Sequence, residues 1–172
     1  GVAHGVRHII AASTGAVYGE PQSGISKEED PREPNTLYGL SKLLAEETLE
    51  YTARTKGVQT VILRFPNVYG LGNAKGVIYQ FLSGIAREGK ITIAGSGEQK
   101  RNFLHVDDAV SALILALSYE GATKAFNIAS EELVSLNELA QILQAKGLKF
   151  EVVHAPTDQK NALQILSLDI TR

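Results

Sequence analysis

The hydrophobic pattern of the chain switches between short continuous apolar runs and longer helical periodicities, the alternation expected of an α/β fold. Residues 7–13, Arg-His-Ile-Ile-Ala-Ala-Ser, are mostly apolar and bounded by Gly5 and Gly15, which predicts a strand buried on both faces. Pro21, Gly24, Pro31 and Pro34, interleaved with Lys27, Glu28, Glu29 and Asp30, then predict a long loop. From Asn35, a good N-cap, apolar residues recur at Leu37, Leu40, Leu44 and Tyr51 until Gly57, so this segment reads as a helix. A second strand is predicted over 58–65, closed by Pro66, with Asn67 at its end; Gly70, Gly72 and Gly76 punctuate the loop that follows. Further along, 77–87 reads as a helix, 91–94 as a strand, Gly95 and Gly97 as a turn and 101–105 as a short extended piece. An apolar helix over 106–118 carries Asp107 and Asp108 in its first turn, the charge sign that the helix dipole favours there. A strand over 125–129 precedes a capping box, Ser135 and Glu138, that opens a helix ending at Gly147, and 150–153 closes the pattern as a strand.

At 172 residues the chain is one domain's worth of polypeptide, able to bury roughly 70% of the surface its unfolded form exposes. With 44% hydrophobic and 21% charged residues and a net charge of −2, it lies in the ordinary globular range. Seventeen Lys and Arg against nineteen Asp and Glu, without a run of like charge, give no reason to expect nucleic acid or an anionic membrane as partner. The absence of Cys excludes disulfides and thiolate metal sites. No apolar run approaches the roughly 20 residues of a membrane span, and no signal peptide is visible, so a cytoplasmic setting is expected. The chain has no Met and begins at Gly1, and it reads as a piece of something longer.

Tyr38 and Lys42 lie four residues apart and so share one helix face. An ammonium beside a phenol favours the phenolate, which suits such a pair to general-base work. Read alone, the pair is more often a partly exposed tyrosine beside a solvated lysine. Singly, Thr14 reads as a loop hydroxyl capping backbone, Asn67 as a turn former and Arg101 as a surface charge. His4 and His8 have the spacing of a helical metal pair, but Gly5 intervenes and no carboxylate supplies a local third ligand, so no metal is expected. The 70–76 loop, Gly-Leu-Gly-Asn-Ala-Lys-Gly, has its third glycine one position late for a dinucleotide loop and reads as a substrate-side loop.

Order gives these residues context. Ala-Ser-Thr-Gly-Ala-Val-Tyr-Gly at 12–19 ends a strand in hydroxyls, at the edge where open α/β sheets place ligands. Tyr38 and Lys42 follow, then Leu-Arg-Phe-Pro-Asn-Val-Tyr-Gly at 63–70, Gly-Ser-Gly-Glu-Gln-Lys-Arg-Asn-Phe-Leu-His-Val-Asp-Asp at 95–108 and Phe-Asn-Ile-Ala at 126–129. Together they resemble the extended short-chain dehydrogenase/reductase family, specifically its NAD-dependent sugar-nucleotide epimerases and dehydratases, with UDP-glucose 4-epimerase-like members most similar.

The resemblance implies a partial Rossmann-like, doubly wound parallel sheet over about residues 5–70 and 101–130. A small α/β substrate-binding region would be interleaved with it over 71–100 and 131–172. It implies Thr14, Tyr38 and Lys42 as the catalytic set. Tyr38 would take a proton from the sugar hydroxyl while hydride passes to the nicotinamide, leaving a keto sugar. Ser13, Tyr38, Lys42 and Pro66 would lie against the cofactor, NAD with NADP left open. Thr14, Asn67 and Arg101 would contact a nucleotide-sugar substrate, Arg101 at its diphosphate. A homodimer of the longer parent, built partly on the Tyr38 helix, is implied as well.

The chain also departs from the family pattern. The glycine-rich loop and first strands that seat adenosine and pyrophosphate are missing, so a sheet edge and an apolar face are expected to be open and the isolated chain inactive. Asn102 stands where the family usually has Asp, and Lys160 is the only cation of the 156–162 segment, where a Gly-Asp pair and arginines are usual. Gly15 and Ala16 replace the acidic pair of 4,6-dehydratases, which argues against dehydration. Two alternatives remain at this point: a noncatalytic binding module of the same fold, and a reductase of a small carbonyl substrate.

Overall fold

The computed structural model describes residues 5–20, 24–156 and 165–171. The first strand, β1 (His8–Thr14), runs into a short 3-10 turn, Gly15–Val17, for which Thr14 is the N-cap. Helix α1 (Leu37–Lys56) is capped by Thr36, one residue later than the sequence suggests, whose Oγ1 accepts from Gly39 N at 3.0 Å. Gly57 ends it in the left-handed conformation, φ 63°, which glycine adopts without a Cβ penalty. Strand β2 (Gln59–Phe65) then pairs in parallel with β1 along its whole length and with β6 (Lys124–Asn127) on its other side. The resulting sheet has the order β1-β2-β6.

After Pro66 the chain enters a second sheet. Strand β3 (Asn67–Tyr69) pairs in parallel with β5 (Lys100–His105), which also pairs with β7 (Leu133–Ser135) and with β9 (Ile165–Leu166). A two-stranded parallel pair, β4 (Lys90–Ala94) with β8 (Glu151–Ala155), forms a third layer. Helices α2 (Val77–Glu88) and α4 (Leu136–Ala145) pack on it: Phe81, Ile91, Ile93, Leu139 and Ala140 form one core. The capping box of α4 is present as the sequence predicts, Ser135 and Glu138 each bonding the other's backbone. Helix α3 (Val106–Leu117) covers the first sheet, where Val61, Leu63, Phe65, Leu104, Ala109 and Ala116 make a second core.

Three expectations change. β1 is the edge of its sheet, and its apolar residues Ile9 and Ile10 are only half-buried; the strand buried on both faces is β2. The apolar period of α1 marks its outer side: Leu37 is 83% exposed and Leu44 and Tyr51 60% each, while the buried residues are Gly39 and Glu46. Asn67 does not end β2 but opens β3, because Pro66, lacking an N–H, breaks the strand and lets the chain change sheets. The short β7 and β9 carry no periodicity long enough to be read from the sequence.

Candidate active site

The site is assembled at the carboxyl end of β1, where the register brings Ser13 opposite Arg64 and Thr14 opposite Phe65. Thr14 is 7% exposed and its Oγ1 accepts from Ala16 N at 3.3 Å, which leaves its hydroxyl proton without an acceptor among the described residues. The first turn of α1 closes onto the 3-10 turn beyond Thr14, a docking that depends on Gly39. A Cβ there would lie 2.5 Å from the Ala16 carbonyl oxygen and 2.9 Å from Pro34 Cβ. Beside this glycine, Tyr38 is 57% exposed. One turn on, Lys42 Nζ donates to the Ala12 carbonyl at 3.1 Å, which ties the helix to the strand end and leaves its remaining N–H donors to a ligand. Packing of α1 on β1 and on the 3-10 turn thus brings the helix turn that carries Tyr38 and Lys42 to the end of the sheet that bears Thr14.

Ser13, 8% exposed, donates its hydroxyl to Glu46. Pro66 and Asn67 follow β2 directly, and Asn67 Nδ2 is buried without a hydrogen-bond partner among the described residues. Such a donor costs about 1–3 kcal/mol if left unpaired, so it fits a ligand acceptor. Asn67 also lines an apolar cavity of about 530 Å³ with Tyr69, Leu71, Val77, Phe103 and His105. Its floor is β3 beside β5, and the 70–76 loop forms one wall.

On β5, burial alternates. Asn102 and Leu104 point inward, while Arg101, Phe103 and His105 are half-buried on the other face. Burial pushes the Arg101 guanidinium down from its ordinary value, and the nearby Glu20 carboxylate counters this. Among the described residues its hydrogen bond is from Nη1 to the Lys100 carbonyl, 3.0 Å. A desolvated fork with one neutral partner is suited to a bidentate anion. Lys160 and His4 lie outside the described residues.

Sequence reasoning gave Asn102 no role, and it is fully held. Its Nδ2 donates to the Ser130 and Glu132 carbonyls at 2.9 and 3.0 Å, and its Oδ1 accepts from Leu168 N at 3.0 Å. The arrangement needs both halves of an amide. Sequence reasoning also missed Gly39, although a glycine inside an otherwise good helix is itself a signal of close backbone approach.

A parallel sheet that ends in hydroxyls, with a Tyr–Lys helix docked across that end, is the architecture of a Rossmann-like α/β protein. The model of the NAD dependent epimerase/dehydratase family matches residues 2–129, and the chain belongs to that family. It is 37% identical over 149 residues to dTDP-4-dehydro-6-deoxyglucose reductase of Escherichia coli, a match covering 84% of this chain and 47% of that protein. It superposes on the UDP-glucose 4-epimerase of Thermotoga maritima, solved with UDP-glucose, with a TM-score of 0.90 and 32% identity, covering 99% of this chain and 57% of that one. It also superposes on the dTDP-glucose 4,6-dehydratase of Streptomyces venezuelae, solved with NAD, with a TM-score of 0.89 and 29% identity, covering 98% and 53%. The chain spans about half the length of these relatives. Among the described residues no helix is long and apolar enough to cross a membrane.

Proposed function

We propose that this chain carries the catalytic end of an NAD-dependent epimerase acting on a nucleotide sugar. The observation that supports the reading most directly is the docking of α1 on β1. The Lys42–Ala12 hydrogen bond and the Gly39–Ala16 contact hold the first turn of α1, which carries the exposed Tyr38, against the strand end that bears Thr14. When bound, NAD supplies a hydride acceptor at a sugar carbon and a hydride donor for its return.

The donor set fits the nicotinamide-ribose end of that cofactor, since the Lys42 N–H groups not used by Ala12 suit vicinal hydroxyls. The sequence holds no glycine-rich cradle for the pyrophosphate end. Tyr38 takes the proton of the reacting sugar hydroxyl, with Lys42 one turn along the same helix, and Thr14 donates to the same sugar oxygen. Ser13 and Pro66 would hold the nicotinamide end of the cofactor. Asn67 supplies its buried donor to the substrate, and Arg101 holds the diphosphate.

The test is a chimera in which these residues replace the matching half of the Thermotoga maritima epimerase. Expected are retained NAD on acid extraction, turnover of UDP-glucose, and a loss of about 10²-fold or more for Tyr38→Phe. The isolated chain is expected to turn over none. Chimera turnover within about threefold of the parent for Tyr38→Phe removes Tyr38 as the base.

A second reading, a reductase of a nucleotide-linked keto sugar, is favoured by the 37% identity to the Escherichia coli reductase. It uses the same residues with the proton moving from Tyr38 to substrate. Oxidation of NADH by the chimera with a dTDP-keto sugar, without epimerisation of UDP-glucose, decides for it.

A further inference from the structure

Beneath the proposed site runs a row of buried polar groups of which the mechanism uses only Ser13. Ser13, Arg64 and Asn127 stand side by side on β1, β2 and β6, one residue before the level of Thr14. Arg64 and Glu46 are each 2% exposed along their side chains, and the Arg64 fork meets the Glu46 carboxylate from Nη2 at 2.7 Å and Nε at 3.1 Å. The same carboxylate accepts from Ser13 Oγ and, at 3.1 Å, from Arg32 Nη1. Arg64 Nη1 donates to Tyr18 Oη at 2.6 Å, and Tyr18 Oη donates to Asn127 Oδ1 at 2.8 Å.

Glu46 follows Lys42 by four residues and Tyr38 by eight, so the three side chains lie along one face of α1. Helix and strand therefore meet at consecutive turns, Lys42 on Ala12 and Glu46 on Ser13. A buried ion pair adds little net stability over an apolar pair of the same shape, because desolvation offsets the attraction. It does fix geometry, since a displaced partner leaves a charge buried and unpaired. Leu37, Leu40, Leu44 and Tyr51 of α1 are exposed, and of its apolar residues Leu43 packs against Val17 and Tyr18, so Gly39 and the ion pair carry much of the register of the face turned to the strands.

We propose that Glu46 is a positioning residue: through Ser13 and Arg64 it locks α1 in register with the ends of β1 and β2, and thereby places Lys42 and Tyr38 against Thr14. The importance of that placement rests on the function proposed above, but the placement itself is measurable without turnover or cofactor. In the 172-residue chain, Lys42 and Lys56 sit on the same helix, Lys42 hydrogen-bonded to Ala12 and Lys56 exposed at the C-terminal end. Brief treatment with acetic anhydride followed by peptide mass spectrometry gives the ratio of their acetylation rates.

Glu46→Gln is expected to raise the Lys42:Lys56 ratio about threefold or more, as the local hydrogen bond opens. Val61→Ala, a core truncation on β2 outside the row, is compared at the temperature where both variants retain the same folded fraction and is expected to leave the ratio unchanged. If Glu46→Gln leaves Arg64 unpaired and fails to fold, the double variant Glu46→Gln, Arg64→Met removes both charges together and is expected to show the same rise. A ratio equal to that of Val61→Ala in whichever of these variants folds overturns the proposal and makes Glu46 a stability residue only. Failure of the chimera to retain NAD or to turn over sugar, with the acetylation result intact, counts against the function and not against the lock.

Discussion

Gly39 packs against the Ala16 carbonyl so closely that a Cβ at this position would stand 2.5 Å from the oxygen. The neighbour is backbone, held in the 3-10 turn that follows Thr14, and it has no rotamer with which to give way. Intrinsic propensity favours alanine over glycine inside a helix by about 1 kcal/mol. Overpacking against a fixed wall costs about 1–3 kcal/mol and reverses that sign. Gly39→Ala is therefore expected to lower the urea midpoint despite improving the helix. A midpoint at or above that of the unaltered chain means that α1 does not close on Ala16 as described.

Acid should act through Glu46. Burial alone raises its carboxyl, but hydrogen bonds from Arg64 and Ser13 and the Arg64 charge outweigh burial and hold it below the ordinary value. A group whose value is lower in the folded than in the unfolded chain contributes stability above the unfolded value, about 4.3, and loses it as pH falls toward the folded one. Thermal unfolding followed from pH 7 to pH 3 should show a decline setting in below about pH 4.5. Glu46→Gln should be less stable at neutral pH but decline less steeply in acid. Parallel declines for the two proteins contradict the assignment.

Much of this was legible in the chain. The alternation of elements follows from periodicity, the capping box at Ser135 from its motif, and the place of Tyr38 and Lys42 on one helix from their four-residue interval. Those signals are local. What failed was which side an apolar residue faces, because Leu37, Leu44 and Tyr51 have the same period whether they meet a core or stand outside it. The Glu46–Arg64 pair was also out of reach, since nothing in the sequence marks a Glu and an Arg 18 residues apart as buried together.

Asn102 gives a test at a single atom. Replacing it with Asp, the residue more usual after Arg101, keeps an acceptor for Leu168 N but turns a carboxylate oxygen toward the Ser130 and Glu132 carbonyls. The loss of two donated bonds in a side chain 2% exposed is expected to cost about 1–3 kcal/mol at neutral pH. Urea unfolding measures it. An unchanged midpoint at pH 7 shows that the amide is not held in this way.

We propose the outward stripe of α1, with Leu37, Leu40, Leu44 and Tyr51 all more than 40% exposed, as a self-association surface. Sedimentation velocity over a concentration series is expected to show self-association that Leu44→Lys removes without altering the circular dichroism spectrum. Association that survives Leu44→Lys places the contact elsewhere.

Arg101 separates charge from geometry. Its guanidinium is half-buried, burial disfavours its charge, and its hydrogen bond to the Lys100 carbonyl leaves the rest of the fork for a ligand. A diphosphate takes two parallel bonds from such a fork, whereas a lysine in the same place offers a point charge without the second bond. Titration of the chimera with UDP should therefore show a loss of about tenfold for Arg101→Lys and a greater one for Arg101→Met. Uridine, which lacks the diphosphate, should bind all three proteins alike. Equal UDP affinity for Arg101→Lys and the unaltered chimera, or a parallel loss for uridine, removes Arg101 from the diphosphate. The first outcome assigns the phosphates to other cations, and the second makes Arg101 a support for the strand on which Asn102 and Phe103 lie.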